Sequence, residues 1–358
     1  IYLDTHCKQF RKIKMAKIHE IEGWIDKVKE DVIDPERPII DPHHHLWKGP
    51  KNPPGIKESY RYMLEDLWRD TSSGHNIEKT VFIDCGQEYY SSGPEKFKPV
   101  GETEFVVGIA KEAERDKSKA QIAGIIGHAN MMLGASVKEV LELHIEKGEG
   151  LFRGIRHAGG WDEDERVKNA HSHPTPHIYL EDDFQLGLQE LSSMNLVFDT
   201  WHYHNQISDL TKLAKNLPDL IIIHDHFGGP LGIGPYEGKR EEIFEQWKED
   251  IYELSQCKNV YAKLGGLAMP VNGWAWHKNE YPASSDAIIK EQSRYYLHTI
   301  DCFGSQRCMF ESNFPVDKQS VSYHVIWNAY KKLVKDFDEA DKHNLFYGTA
   351  DKVYKLTS

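Results

Sequence analysis

Three pairs of histidines, each pair with one residue between its members, mark where this chain could do chemistry: His43 and His45 in "IIDPHHHLW", His202 and His204 in "VFDTWHYHNQ", and His224 and His226 in "IIIHDHFGGP". Neutral imidazole is the commonest ligand for zinc-like cations and the side chain best poised for proton transfer near neutral pH, so the pairs suit either a metal centre or acid–base work. Side chains two apart on an extended segment point the same way. His43 and His45 are thereby expected to face one side and His44 the other, and the same spacing is expected to align the remaining pairs. Arg156 and His157, in "FRGIRHAGGW", could clamp a substrate carboxylate or carbonyl, since guanidinium is a rigid two-pronged donor.

Such side chains converge only if a scaffold presents their strand ends side by side. Eight short runs rich in Val, Ile and Phe read as buried parallel strands: "PIIDPH" from Pro38, "KTVFID" from Lys79, "QIAGIIG" from Gln121, "FRGIRH" from Phe152, "NLVFDT" from Asn195, "LIIIHD" from Leu220, "NVYAKLG" from Asn259 and "RCMFES" from Arg307. Between them, stretches such as "ETEFVVGIAKEAERD", "VKEVLELHIEKG", "DFQLGLQELSSM" and "REEIFEQWKEDIYELSQ" carry apolar residues at three- and four-residue spacing, as amphipathic helices do.

Eight alternating units predict an α/β fold, a TIM-type (β/α)8 barrel, with a doubly wound sheet as the rival. In the barrel the active site lies at the C-terminal strand ends, which is where the three histidine pairs fall. The charged, amphipathic residues 1–37 predict an N-terminal helical extension, and residues 38–358 a single barrel domain with long loops over its C-terminal face. Two of those loops, Lys48 to Trp68 and Met269 to Pro282, are candidate lids. Trp47, Trp161, Trp201, Trp274 and Trp276 could line a pocket for a ring-bearing substrate, with Trp47 the candidate beside the first histidine pair.

Bulk properties narrow the classes of function. The chain has 358 residues, 39% hydrophobic and 28% charged, and no apolar run long enough to span a membrane. Its 44 basic and 56 acidic side chains give a net charge of -12 without a basic stripe, which speaks against a nucleic-acid surface. Five cysteines without a CxxC pair predict neither a disulfide framework nor a zinc knuckle, and fit a cytoplasmic protein. The expected partners are a small-molecule substrate and, given the long insertions, a second copy in a homodimer.

In order and spacing, "DPHHHLW", "FDTWHYHNQISDL", "IIIHDHFGGP", "AKLGGL" and "CMFESNFPVD" resemble the amidohydrolase-related family, in the branch of sugar-lactone and 2-pyrone-4,6-dicarboxylate lactonases. The resemblance implies that His43, His45 and His226 ligate one divalent metal, Zn2+ or Mn2+, or polarise a carbonyl directly where no metal is used. It also exposes a departure: the strand-eight Asp that activates water in many relatives is Asn313 here. An amide is no useful proton acceptor, so Asn313 is expected to orient water or substrate. The base role is left to Glu311 or Asp317, with His204, His226 and Asp225 also eligible. Arg156 and His157 stand where binuclear relatives carry a bridging lysine, which predicts at most one metal, and Lys263 is expected to bind a substrate oxygen together with Arg156, His157 and His204. The expected activity is a hydrolase opening a lactone or similar cyclic ester of a small, polar, carboxylated molecule. A metal-dependent non-hydrolytic decarboxylase and a ligand-binding barrel without turnover are the alternatives.

Overall fold

In a computed structural model, residues 18–49 and 61–357 are described. Eight strands run in parallel, each hydrogen-bonded to the next in chain order: β1 (Pro38–His44), β2 (Asn76–Ile83), β3 (Gln121–Gly127), β4 (Phe152–Arg156), β5 (Val197–Thr200), β6 (Ile222–His224), β7 (Val260–Leu264) and β8 (Cys308–Phe310). The sheet closes where the segment after β8 meets β1: Asn313 donates its backbone N–H to the His43 carbonyl at 3.1 Å, and His45 donates to Phe314 at 2.8 Å. The α-helices are α1 (Ile18–Ile25), α2 (Leu64–Thr71), α3 (Val100–Ala113), α4 (Lys138–Lys147), α5 (Asp182–Ser193), α6 (Ile207–Asn216), α7 (Arg240–Ser255), α8 (Ser285–Phe303), α9 (Tyr323–Leu333), α10 (Glu339–His343) and α11 (Thr349–Tyr354), with short 3-10 turns in the loops. The predicted (β/α)8 barrel is the fold, and the doubly wound sheet is not.

Strand alternation divides the core. Ile40, Val81, Ile83, Ile126, Val197, Ile223, Tyr261 and Met309 form one apolar cluster. Only the lumen brings residues of opposite strands together, so this cluster fills the barrel interior. Their neighbours Ile39, Phe198, Ile222, Ala262, Leu264, Cys308 and Phe310 face outward into the larger cluster beneath the helices. From below, α11 closes the barrel, adding Ala350, Val353 and Tyr354 to the interior cluster.

The segment after α1 is held by polar contacts to the C-terminal helices. Glu30 accepts from the Ser285 backbone N–H at 2.8 Å and its hydroxyl at 2.6 Å, and the Asn328 amide oxygen accepts from the Ile33 N–H at 2.9 Å. Residues 50–60 of the first candidate lid lie outside the described residues. Its base is closed by reciprocal backbone bonds between Trp47 and Tyr62, and its last five residues, Leu64 to Trp68, are not lid but the start of α2, where Leu64, Leu67 and Trp68 bury an apolar face. The second candidate, Met269 to Pro282, packs onto the loop after β6: the Asn272 side chain donates to the Pro230 carbonyl at 2.9 Å, and the Arg240 guanidinium covers the Trp274 ring.

Candidate active site at the barrel mouth

Two residues beyond the apolar positions on the inner face, the same strands turn charged: Val197 is followed by Asp199, Ile223 by Asp225, Tyr261 by Lys263 and Met309 by Glu311. Alternation alone puts each pair on one face. Gly154 of β4 is followed likewise by Arg156. On β1 the register shifts between Asp41 and His44, and His43 and His45 face inward while His44 faces out, its Nε2 at 3.1 Å from the Thr80 hydroxyl and its ring against Phe82.

Glu311 ties the mouth together. Its Oε1 lies 2.6 Å from His226 Nδ1, and its Oε2 lies 2.8 Å from His43 Nδ1 without making a hydrogen bond. The His43 and His226 rings stand 4.4 Å apart. Two glycines after β7 make room: a Cβ on Gly265 would collide with Glu311, and one on Gly266, which sits at φ +74, with the His226 ring. One ligand atom each from His43, His226 and Glu311 lies within 4.8 Å of the others, so the three can hold a metal ion. His45 lies beside this group, its ring 5.0 Å from that of His43 and stacked on Trp47, with Nδ1 at 2.9 Å from the Ile83 carbonyl; a carbonyl only accepts, so Nδ1 carries the proton.

The electrostatics are unbalanced. Asp84, Asp199, Asp225 and Glu311 are wholly buried, and the buried cations among them are Arg156 and Lys263. Lys263 reaches Asp199 at 2.6 Å, Asp225 at 3.3 Å and His43 Nδ1 at 3.3 Å. Arg156 pairs through Nε with Asp84 at 2.7 Å and through Nη2 with the Asp84 carbonyl, leaving Nη1 at 3.4 Å from His43 Nε2. Burial, with Lys263 next, holds His43 well below the usual histidine range, and burial takes His226 down to about 3. Both rings are therefore neutral and keep a lone pair. Burial pushes Asp225 up to about 7 and Glu311 to about 8, against the opposing pull of Lys263. Both oxygens of Asp225, and one each of Asp84, Asp199 and Glu311, accept no hydrogen bond. Unsatisfied carboxylate oxygens in excess of local positive charge are what a cation-binding site offers an ion.

Several expected site residues lie elsewhere or hold other groups. His157 follows Arg156 and so points out of the barrel, where its Nδ1 accepts from the Met131 N–H at 3.1 Å and its ring packs on Phe184. His224 does not share a face with His226. The strand ends at His224, and His226 and Phe227 adopt left-handed backbone at φ 54 and φ 58, which swings His226 into the mouth and leaves His224 outside against His202, their rings 5.2 Å apart. His204 accepts from the Leu231 N–H at 3.4 Å and packs on Tyr236. Lys263, offered as a substrate ligand, is wholly buried as the counter-ion of Asp199. Both Asp317 oxygens are occupied, by Asn313 Nδ2 at 3.0 Å and the Ala268 N–H at 3.3 Å, so Asp317 and Asn313 brace the turn after β8 against the loop after β7. Asp84 and Asp199 were missed, although each ends an apolar run in "TVFID" and "LVFDT", a position from which alternation points Asp199 inward.

The family sequence profile described as Amidohydrolase matches residues 40–356. The chain belongs to the amidohydrolase family. Among curated proteins it is 31% identical over 332 residues to a Sinorhizobium fredii protein described as uncharacterized protein y4mH, covering 89% of this chain and 98% of that one. It is 24% identical over 257 residues to an L-fucono-1,5-lactonase from Burkholderia multivorans, covering 71% of this chain and 77% of the relative. Among solved structures, an amidohydrolase from Burkholderia multivorans with bound zinc superposes with a TM-score of 0.68 at 20% identity, over 90% of this chain and 100% of that one.

Proposed function

We propose that this barrel opens a lactone or similar cyclic ester of a small, polar, carboxylated molecule by attack of water on the ring carbonyl. The observation that carries the reading is the convergence of His43, His226 and Glu311 at the mouth, beside buried Arg156 and Lys263, on a chain related to a lactonase. His43, His226 and Glu311 hold one divalent cation, zinc or manganese, as the zinc-containing relative barrel makes reasonable. Such a cation polarises a carbonyl and acidifies water.

The chain's own groups do the rest. Glu311 fixes the His226 ring through the hydrogen bond to its Nδ1 and holds its free Oε2 beside His43 Nδ1. Nη1 of Arg156, the part of the guanidinium not spent on Asp84, sets a positive charge beside His43, where an oxyanion gains most from a fixed donor. Lys263 neutralises Asp199 and adds to the burial that keeps His43 uncharged. Asp225, its Oδ2 3.8 Å from His43 Nδ1, faces the cluster to which Glu311 belongs, and the base role falls to one of these two carboxylates. The test is a panel of sugar lactones and pyrone dicarboxylates on zinc- and manganese-loaded protein, read by proton release with CO2 trapped in parallel. Ring opening of at least one lactone supports the reading. Release of CO2 without a ring-opened acid, or a ligand-induced thermal shift without turnover, contradicts it.

A further inference from the structure

We propose that Asp84, His128 and His171 form a second, separate site for one transition-metal dication at the rim of the mouth. Asp84 and His128 directly follow the neighbouring strands β2 and β3, and the long loop after β4 brings His171 to them. One ligand atom from each lies within 4.8 Å of the other two. Ligand atoms about 2.0–2.2 Å from a common ion stand at most about 4.4 Å apart, so a small rotation of half-exposed His171 closes the set.

Each donor is already prepared. Asp84 is wholly buried; Arg156 holds its Oδ1 at 2.7 Å, while Oδ2 accepts no hydrogen bond. His171 Nε2 stands 3.5 Å from that same Oδ2. His128 Nδ1 lies 3.0 Å from the Arg156 carbonyl, which can only accept, so Nδ1 carries the proton and Nε2 is left with the lone pair. A ligating imidazole fixed through its other nitrogen to a carbonyl, and a ligating carboxylate fixed through its other oxygen, is the outer-shell pattern that metal sites use. Here Arg156 supplies both braces. Two imidazoles and one carboxylate with positions left open suit zinc or ferrous iron.

This site is distinct from the His43–His226–Glu311 group. The Arg156 guanidinium stands between them, with Nε on Asp84 and Nη1 towards His43. Because Asp84 already shares its charge with Arg156, the rim site is expected to bind more weakly than the inner one.

The experiment is equilibrium dialysis of the chelator-stripped full chain against Zn2+, with zinc per chain read by elemental mass spectrometry, for wild type, His171→Ala, His128→Gln and Glu311→Gln. His171 is half exposed, so its removal leaves no cavity, and His128→Gln provides an independent loss of the same site. The expected result is two zinc ions per wild-type chain, one lost in both His171→Ala and His128→Gln, and the other lost in Glu311→Gln. One ion in wild type that disappears in His171→Ala but survives Glu311→Gln also supports the rim site, while contradicting the inner group as a cation holder. Zinc content unchanged by His171→Ala or by His128→Gln, or no zinc in wild type, overturns the proposal.

Discussion

The lower and upper halves of the barrel lumen are built by the same strands and the same alternation, yet they hold opposite kinds of side chain. Below, Val197, Ile223, Tyr261 and Met309 pack against α11. Two residues on, Asp199, Asp225, Lys263 and Glu311 are buried as completely. Tyr354 links the halves, its ring in the floor and its hydroxyl donating to Asp199 at 2.7 Å. The floor lowers free energy by removing apolar surface from water, whereas the mouth accumulates carboxylates that burial disfavours. Stability alone does not account for the mouth, and this difference is what locates the chemistry.

Four substitutions separate the halves, taken from the largest effect down. Lys263→Met strands Asp199 and Asp225 without their cation; removing one partner of a buried pair costs about 3–5 kcal/mol, so unfolding in urea is expected at much lower denaturant. An unchanged midpoint would show that the ammonium does not anchor the mouth. Met309→Ala opens a cavity in the floor and is expected to cost about 2–5 kcal/mol in the same assay, with turnover per folded molecule preserved. Loss of turnover without loss of stability would erase the distinction between floor and mouth.

His226→Ala is expected to reverse that pattern. Turnover per folded molecule falls at least about a hundredfold, or about 2.7 kcal/mol at the barrier, while the fold survives the about 1–3 kcal/mol of stability lost with the hydrogen bond to Glu311; a rate within threefold of wild type removes His226 from the site. His204→Ala forfeits one hydrogen bond to the Leu231 N–H, so a loss of about 1 kcal/mol in stability with near-native turnover is expected. A large fall in turnover there would return His204 to the substrate pocket.

Much of this is legible in the sequence. The apolar runs locate all eight strands because parallel strands buried on both faces leave continuous hydrophobic stretches. Strand β3 runs from Gln121 to Gly127, as its sequence predicts, whereas β6 shrinks to Ile222–His224. That shortening is where reasoning by spacing failed. His43 and His45 share a face because β1 stays extended around them, while His224 and His226 carry the same spacing across a left-handed turn that period-two alternation does not describe. The role of Glu311 as the link between two histidines was equally hidden, because it depends on the turn after β7, where Gly265 leaves room for Glu311 and Gly266 for the His226 ring.

The central claim is that the excess of buried carboxylate at the mouth is answered by a bound cation. The most direct test is thermal unfolding of metal-stripped protein with and without excess Zn2+, comparing Glu311 with Glu311→Gln, both in a His171→Ala background to silence the rim. The account predicts that the metal-free Gln form is at least as stable as the metal-free Glu form, and that zinc stabilises only the Glu form, by about 2.7 kcal/mol at a hundred times its dissociation constant. Equal stabilisation of both forms by zinc, or a metal-free Gln form that unfolds well below the Glu form, would contradict it.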